Sequence, residues 1–158
     1  MKSLDKYKLS GHKFIVFLLC GIPGSGKSTW RKENYPTLPF ISRDSVRAEL
    51  GYTSSEDEKA VLSPSQEKIV TIEEYSKIAK YSKKKQSFIV DDTNSVIKYR
   101  KNLIKTLKDY GAYIIGVNIS TSLENNISRR QGQINEEVIK RLYYRHIPLY
   151  RDEVDELI

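Results

Sequence analysis

The sequence has little of what membrane-spanning and disulfide-stabilised proteins require. A single cysteine among 158 residues cannot form an internal disulfide. The longest apolar run, from Phe14 to Cys20, is far shorter than the roughly 20 residues that a membrane-crossing helix needs. We therefore expect no membrane partner, and a reducing compartment, the cytoplasm, as the location.

Charge is what the chain has in excess. Its 27 lysines and arginines outnumber 20 aspartates and glutamates, which gives a net charge of +7 and a pI near 9.3. Such a balance favours polyanionic partners without identifying one. The length predicts one domain over residues 1–158, with residues 1–12 as a poorly ordered, basic lead-in.

Apolar strands alternate with helical segments along the chain. Residues 14–20 are typical of a strand buried on both faces of a parallel sheet. Further strands are predicted at 39–42, 87–91 and 113–119, and helices at 27–34, 43–50, 64–81, 95–110, 121–130 and from 135 onward. This alternation predicts an α/β fold with a parallel sheet.

Two of these helices have apolar spacings that predict which face is buried. The residues expected to face the core are Ile69, Ile72, Ser76 and Ala79 in the first, and Tyr99, Leu103, Leu107 and Tyr110 in the second.

A glycine-rich segment follows the first predicted strand. It matches the pattern G-x-x-x-x-G-K-[S/T] and consists of Gly21, Ile22, Pro23, Gly24, Ser25, Gly26, Lys27 and Ser28, with Thr29 next in the helix. Backbone N–H groups in such a loop turn inward to bind an anion, and the helix start adds roughly half a positive charge. We predict binding of ATP or another nucleoside triphosphate, with Lys27 on the phosphates and Ser28 on Mg²⁺.

Several classes of enzyme share this loop. A switch GTPase would carry a base-reading Asn-Lys-x-Asp segment, and the sequence has none. A translocating helicase would need a longer chain. The sequence therefore favours a compact kinase.

Two polar clusters follow predicted strands, at the sheet edge where open α/β sheets bind ligands. Asp44 and Arg47 are three residues apart, on one face of a helical turn. There the carboxylate could accept a hydroxyl proton while the guanidinium binds phosphate. In residues 91–94, an acidic side chain at the end of a strand suits Mg²⁺. The alternatives are a capped surface helix for the first cluster and an Asx turn for the second.

Taken in order, the segments GIPGSGKSTW, SRDSVR and DDTN, and then an arginine-bearing segment before a final helix, resemble the kinase domain of bacteriophage polynucleotide kinase. The resemblance covers about residues 14–145 and is carried by Trp30, R-D-x-x-R and D-T-N. It implies a P-loop NTPase fold of the adenylate-kinase-like type. That fold is a three-layer sandwich with a central, mostly parallel sheet of four to five strands and a helical lid at about residues 125–137.

The resemblance also implies roles for single residues. Asp44 would be the general base, and Arg47 would hold a phosphate of the acceptor nucleic acid. Asp92 would belong to the metal and active-site network, with Thr93 and Asn94 beside it at the substrate.

From the lid, Arg129 would bind the donor's phosphates, and Arg130 directly after it could act instead. The activity implied is ATP-dependent phosphorylation of the 5′-hydroxyl end of DNA or RNA. Two alternatives stay open: a zeta-toxin-like kinase of a small metabolite or nucleotide sugar, and a non-catalytic, RNA-associated nucleotide-binding subunit. The oligomeric state is not predicted.

Overall fold

A parallel five-stranded sheet forms the centre of the fold. The computed structural model describes residues 2–9, 11, 14–56 and 61–158. The strands are Ile15–Cys20 (β1), Phe40–Ile41 (β2), Phe88–Val90 (β3), Tyr113–Asn118 (β4) and Glu156–Leu157 (β5). They lie in the order β2-β3-β1-β4-β5, and all neighbours are parallel. The α/β fold and the strand number expected from the sequence are thus confirmed.

Helices connect the strands. They are Asp5–Leu9 (α1), Lys27–Asn34 (α2), Arg43–Glu49 (α3), Pro64–Lys83 (α4), Ile97–Asp109 (α5), Leu123–Arg129 (α6) and Glu136–Arg145 (α7), with a 3₁₀ turn at Arg151–Glu153. Local chemistry sets several of their starts. Ser63 and Gln66 form a capping box at the start of α4, whose first residue is Pro64. The Asn135 side chain caps α7.

The alternation of side chains along β1 divides the core between the two faces of the sheet. Val16 and Leu18 pack on the side of α4 and α5, with Ile78 and Leu107. Ile15, Phe17 and Leu19 pack on the other side, with Trp30, Tyr35 and Tyr7. Helices therefore cover both faces of the sheet, which is the predicted three-layer arrangement.

The buried face of α4 differs from the predicted one, whereas that of α5 includes the predicted Leu103 and Leu107. In α4 the buried residues are Val70, Glu74, Ile78 and Ser82, while Ile69 and Ile72 are exposed. In α5 they are Arg100, Leu103, Ile104 and Leu107, while Tyr99 is exposed. Each observed face includes an ionisable side chain, Glu74 or Arg100, that an apolar pattern cannot select.

Part of the N-terminal segment is helical. Residues 5–9 of the predicted lead-in form α1 instead, and the Tyr7 ring packs 5.9 Å from the ring of Tyr113. Residues 1, 10 and 12 of that segment lie outside the described residues, as do residues 13 and 57–60. Among the helices that the structure describes, none is both long and apolar enough to cross a membrane.

Candidate active site

The glycine-rich loop joins the central strand β1 to α2. Gly24 and Gly26 have φ of +81° and +106°, a backbone region that favours glycine. A Cβ atom on Gly24 would also lie 2.8 Å from the Asn126 carbonyl oxygen. No side chain caps α2 at Gly26, so its first N–H groups remain available to an anion.

Lys27, the first residue of α2, lies in the cleft. Its Nζ donates to the carbonyl of Ile22 at 3.2 Å, across the loop. Burial lowers the pKa of Lys27, and the charges of Asp91 and Asp92 partly oppose that shift. The position of its Nζ across the loop places the amine where phosphates would lie.

Asp91 belongs to the predicted cluster at residues 91–94, although the resemblance assigned the metal to Asp92, and it is the carboxylate that faces the loop. Its Oδ2 accepts from Ser28 Oγ and from Arg31 Nε, each at 3.1 Å. The Arg31 guanidinium lies 3.5 Å from the centroid of the Phe40 ring. A serine hydroxyl beside a carboxylate is the kind of oxygen donor set that Mg²⁺ takes in phosphate-loop enzymes.

Asp92, the residue favoured by the resemblance, lines the same cavity as Ser28, but its carboxylate accepts from α3. Its Oδ1 accepts the backbone N–H of Arg43 at 2.8 Å, and its carboxyl pairs with that of Glu74. Burial raises the pKa of Asp92. Burial and the neighbouring Asp92 charge raise the pKa of Glu74 to about 9. Asp92 thus holds the start of α3 through the Arg43 N–H while it borders the cavity next to the loop.

The helix α3 presents Asp44 and Arg47 to the cleft. Ser42 caps the helix by accepting the Ser45 N–H, and Arg47 Nη1 lies 3.0 Å from Asp44 Oδ1. The predicted pairing on one face of a turn is therefore present in the geometry.

Glu67 of α4 joins this pair. Its carboxylate lies 2.6 Å from Arg43 Nη2 and 3.0 Å from Arg47 Nη2. Burial acts to raise the pKa of Glu67, but the hydrogen bonds from Arg47 and Arg43 outweigh it, and the net shift is downward. Glu67 is thus ionised and paired with two arginines.

The D-T-N segment supports the loop through its backbone and its amide. The Thr93 carbonyl accepts the Gly21 N–H at 3.0 Å. Asn94 has φ of +49°, and its Nδ2 donates to the Leu19 carbonyl at 2.7 Å. Its side chain is thereby tied to β1.

The two predicted lid arginines lie over the glycine loop. Arg129 Nη1 donates to the Gly24 carbonyl at 3.0 Å. Arg130 Nη1 donates to Gln133 Oε1 at 3.2 Å, and its buried Nε has no hydrogen-bond partner among the described residues. Both arginines border a small cavity above the loop, together with Thr29.

One cavity of about 290 Å³ brings most of these groups together. Its walls include the residues with predicted roles Pro23, Lys27, Ser28, Asp44, Arg47, Asp92, Thr93 and Arg130. They also include Asp91 of the 91–94 cluster, and Arg31 and Arg43, for which no role was predicted. Arg129 lies outside it, at the loop cavity. Asn94 lies in a neighbouring cavity of about 520 Å³ between α4 and α5.

A third cavity, of about 310 Å³, flanks the loop on the side of β4. It is lined by Ile22, Ser25, Ile119, Ser120, Thr121, Asn126, Tyr143 and His146. The buried Ser25 Oγ and Asn126 Oδ1 have no hydrogen-bond partner among the described residues.

Sequence signals for the missed residues differ in strength. Strand alternation could have separated the two aspartates, because Ile89 of β3 faces the side of α2 and Val90 the other side. Asp91 therefore follows Ile89 in facing α2. No local pattern points to Glu67 or Glu74, since their partners lie far away in the chain.

Known structures with a similar fold include proteins of several functions. A chain of the Pnkp1/Rnl/Hen1 RNA repair complex is 24% identical over 82% of this chain, with a TM-score of 0.70. This chain spans only 43% of that chain's length. Kti12 from Chaetomium thermophilum, solved in complex with ADP-AlF3, is 15% identical with a TM-score of 0.61, over 90% of this chain and 87% of Kti12.

A gluconokinase from Sinorhizobium meliloti 1021 is 16% identical with a TM-score of 0.54, over 91% of this chain and 81% of the gluconokinase. No curated protein matches the sequence significantly. At these identities the likenesses show the fold alone, which is that of P-loop kinases. The resemblance to the kinase domain of phage polynucleotide kinase is confirmed at this level.

The family match covers most of the chain. Residues 16–148 match the AAA domain family, and this range runs from the central strand through the phosphate loop and α3 to the segment after α7. With its phosphate loop and parallel sheet in place, the chain belongs to the AAA domain family and has the fold of a P-loop kinase.

Proposed function

We propose that the chain transfers the γ-phosphoryl group of ATP to the 5′-hydroxyl end of DNA or RNA. One observation carries the proposal: a single cavity is lined by Lys27 and Ser28 of the phosphate loop and by Asp44 and Arg47 of α3. The phosphates of a donor and the hydroxyl of an acceptor can therefore meet in one space, as an in-line transfer requires.

On the donor side, the loop amides and Lys27 bind the phosphates of ATP or another nucleoside triphosphate. Arg130, which lines the same cavity, and Arg129 above the loop add positive charge as residues 125–137 close. Such closure keeps out water that would otherwise take the phosphoryl group. The cavity flanking the loop, with Ser25 and Asn126 in its wall, receives the nucleoside of the donor.

On the acceptor side, Asp44 takes the proton of the attacking hydroxyl. The hydroxyl oxygen forms a bond to the γ-phosphorus while the bond from that phosphorus to the β,γ-bridging oxygen breaks, and ADP leaves. Arg47 binds the phosphate next to the acceptor hydroxyl. Arg47 also lies 3.0 Å from Asp44, so the base and the phosphate site are held in fixed relation.

Mg²⁺ fits the donor side of this cavity. Ser28 Oγ and Asp91 Oδ2 lie 3.1 Å apart and supply hydroxyl and carboxylate oxygens, which this hard cation prefers. We therefore assign the metal to Ser28 and Asp91, in place of Asp92. When bound, Mg²⁺ supplies neutralisation of the negative charge on the donor's phosphates.

A second candidate function is phosphorylation of a small uncharged acceptor such as a sugar. The observation that favours it is the pairing of Arg47 with Glu67 at 3.0 Å, which offsets the positive charge offered to an acceptor phosphate.

The test offers ATP labelled at the γ-phosphate to 5′-hydroxyl DNA and RNA oligonucleotides, to the same strands already carrying a 5′-phosphate, and to sugars. We expect label only on the 5′-hydroxyl strands. Asp44→Asn should bind ATP normally and lose transfer by at least about 100-fold, as expected for removal of a general base. The control is Asp109→Asn, which removes a carboxylate from the exposed pair with Lys105.

The other outcomes are equally decisive. Label on sugars alone selects the second candidate. Tight ATP binding without transfer to any acceptor supports a non-catalytic nucleotide-binding subunit. Full transfer by Asp44→Asn removes Asp44 from the role of base.

A further inference from the structure

Every nitrogen of the Arg47 guanidinium donates to a carboxylate oxygen of this chain. Nη1 donates to Asp44 Oδ1 at 3.0 Å, and Nε donates to Glu67 Oε1 at 3.1 Å. Nη2 lies 3.0 Å from both Glu67 oxygens. The whole Nε–Nη2 edge is thus engaged by Glu67 in the two-point contact that a guanidinium also makes with phosphate.

The formal charges of this cluster cancel. Arg43 and Arg47 contribute two positive charges, and Asp44 and Glu67 contribute two negative ones. A phosphate can bind Arg47 strongly only where one carboxylate yields. Asp44 is needed next to the acceptor hydroxyl, which leaves Glu67 as the group that moves.

Glu67 can release Arg47 without losing all its partners. Its Oε2 also accepts from Arg43 Nη2 at 2.6 Å. Arg43 is itself anchored, because it donates to the Glu67 carbonyl at 3.1 Å and to Thr71 Oγ1 at 2.9 Å. The Glu67 side chain is 34% exposed and borders the cavity between α4 and α5, which gives it room to move.

We infer that Glu67 is an internal stand-in for the acceptor's phosphate, an inference that rests on the proposed function. Glu67 holds Arg47 in place between reactions and stays with Arg43 when a strand's phosphate takes the Nε–Nη2 edge. It thereby sets acceptor specificity: a strand with a phosphate next to its 5′-hydroxyl displaces the carboxylate, whereas a free nucleoside has nothing to displace it with.

Glu67→Gln tests this role because glutamine keeps the shape of the side chain and removes its charge. Partly exposed ion pairs contribute modestly, so KM for a 5′-hydroxyl oligonucleotide should fall about threefold to tenfold. KM for ATP and KM for a free nucleoside acceptor should not change. Anisotropy of a labelled oligonucleotide without ATP should show the same gain in affinity, which makes the result independent of turnover.

Glu49→Gln is the matched control. Glu49 and Lys77 form the other ion pair between α3 and α4 that the described residues show, 2.8 Å apart. Glu49→Gln changes the net charge by the same amount as Glu67→Gln, but at a position that does not line the cavity of about 290 Å³. KM for the oligonucleotide should therefore stay at the wild-type value, and thermal unfolding of both variants checks that they fold.

Three results would overturn the inference. A higher or unchanged oligonucleotide KM in Glu67→Gln would mean that Glu67 only positions Arg47. An equal fall in KM for the nucleoside would mean that no phosphate is involved. If the wild-type protein transfers nothing to oligonucleotides, the proposed function fails and the inference with it, whereas the first two results leave the proposed function standing.

Discussion

Asp91 and Asp92 are neighbours in the chain, yet their carboxylates serve different parts of the molecule. Asp91 accepts from Ser28 on the side of α2, and Asp92 accepts from the Arg43 backbone at the start of α3. The resemblance to the phage kinase favoured Asp92, because the order of residues in a motif does not show towards which face of the sheet each side chain points. The hydrogen bond between Ser28 and Asp91 is therefore the reason why the proposed metal site uses Asp91.

Asp91→Asn should raise the Mg²⁺ concentration needed for half-maximal transfer by about 10- to 100-fold, because the metal loses a negatively charged oxygen partner. The measurement is the rate of label transfer across a magnesium titration. Asp92→Asn should leave that requirement near the wild-type value. A shift in the Asp92 variant alone would return the metal to Asp92.

The buried carboxyl of Glu74 makes stability depend on pH. Burial and the Asp92 charge raise its pKa from 4.5 to about 9, so between these values the folded state keeps a proton that the unfolded state loses. The stability contributed by this group is complete below pH 4.5 and is lost as the pH rises towards 9.

Glu74→Gln removes this titration, and its amide N–H can replace the carboxyl O–H as hydrogen-bond donor to Asp92. Its free energy of unfolding should therefore fall less steeply than that of the wild type, by at most ~1.4 kcal/mol per pH unit. Urea unfolding at about pH 5 and about pH 8.5 measures the difference, with Glu73→Gln on the same helix as control. Identical slopes for wild type and Glu74→Gln would contradict the assignment.

At the scale of helices and strands, local sequence signals predicted where the elements begin. Long-range contacts determine which face of each helix is buried. The Ser63 cap and Pro64 marked the start of α4. Its buried face, however, includes Glu74, whose partner Asp92 lies in the segment between β3 and α5. In α5, Arg100 is buried because it donates to the Glu153 carboxylate at 2.9 Å and 3.0 Å. A partner 53 residues away cannot be detected from the spacing of apolar residues along a helix.

The corrected face of α4 predicts which of its isoleucines matter. Ile78 is fully buried, whereas Ile72 is 61% exposed. Ile78→Ala should lower the free energy of unfolding by about 2–5 kcal/mol through lost burial and a new cavity, and Ile72→Ala should lower it by no more than about 0.5 kcal/mol. Chemical unfolding of both variants checks this, and equal effects would mean that α4 is rotated.

For the whole molecule, composition and motif order predicted the architecture well. The apolar run at residues 14–20 supplied the central strand, and the glycine loop followed it as expected. The two-residue β5 was not located, since a segment that short has no pattern of its own. The cluster around Asp44 and Arg47 was predicted only in part, because Glu67 joins it from α4, a helix for which the sequence indicated no functional role.

The basic excess is spread over the surface as well as the cleft. Lys98, Lys101, Lys105 and Lys108 are all exposed along α5, while the charges of Arg43 and Arg47 are offset by carboxylates. The net charge of +7 thus favours polyanions at long range without selecting among them. In the proposed function, that selection is the role of the cluster around Arg47.

The packing of α2 also gives the protein an optical reporter. Trp30 is the single tryptophan of the chain, and it lies in α2 three residues after Lys27. Its ring centroid is 5.8 Å from those of Phe17 and Tyr35. Fluorescence excited at the indole therefore comes from one position, next to the phosphate loop and against the central strand, so the native protein can be followed during nucleotide titration or unfolding without an attached dye.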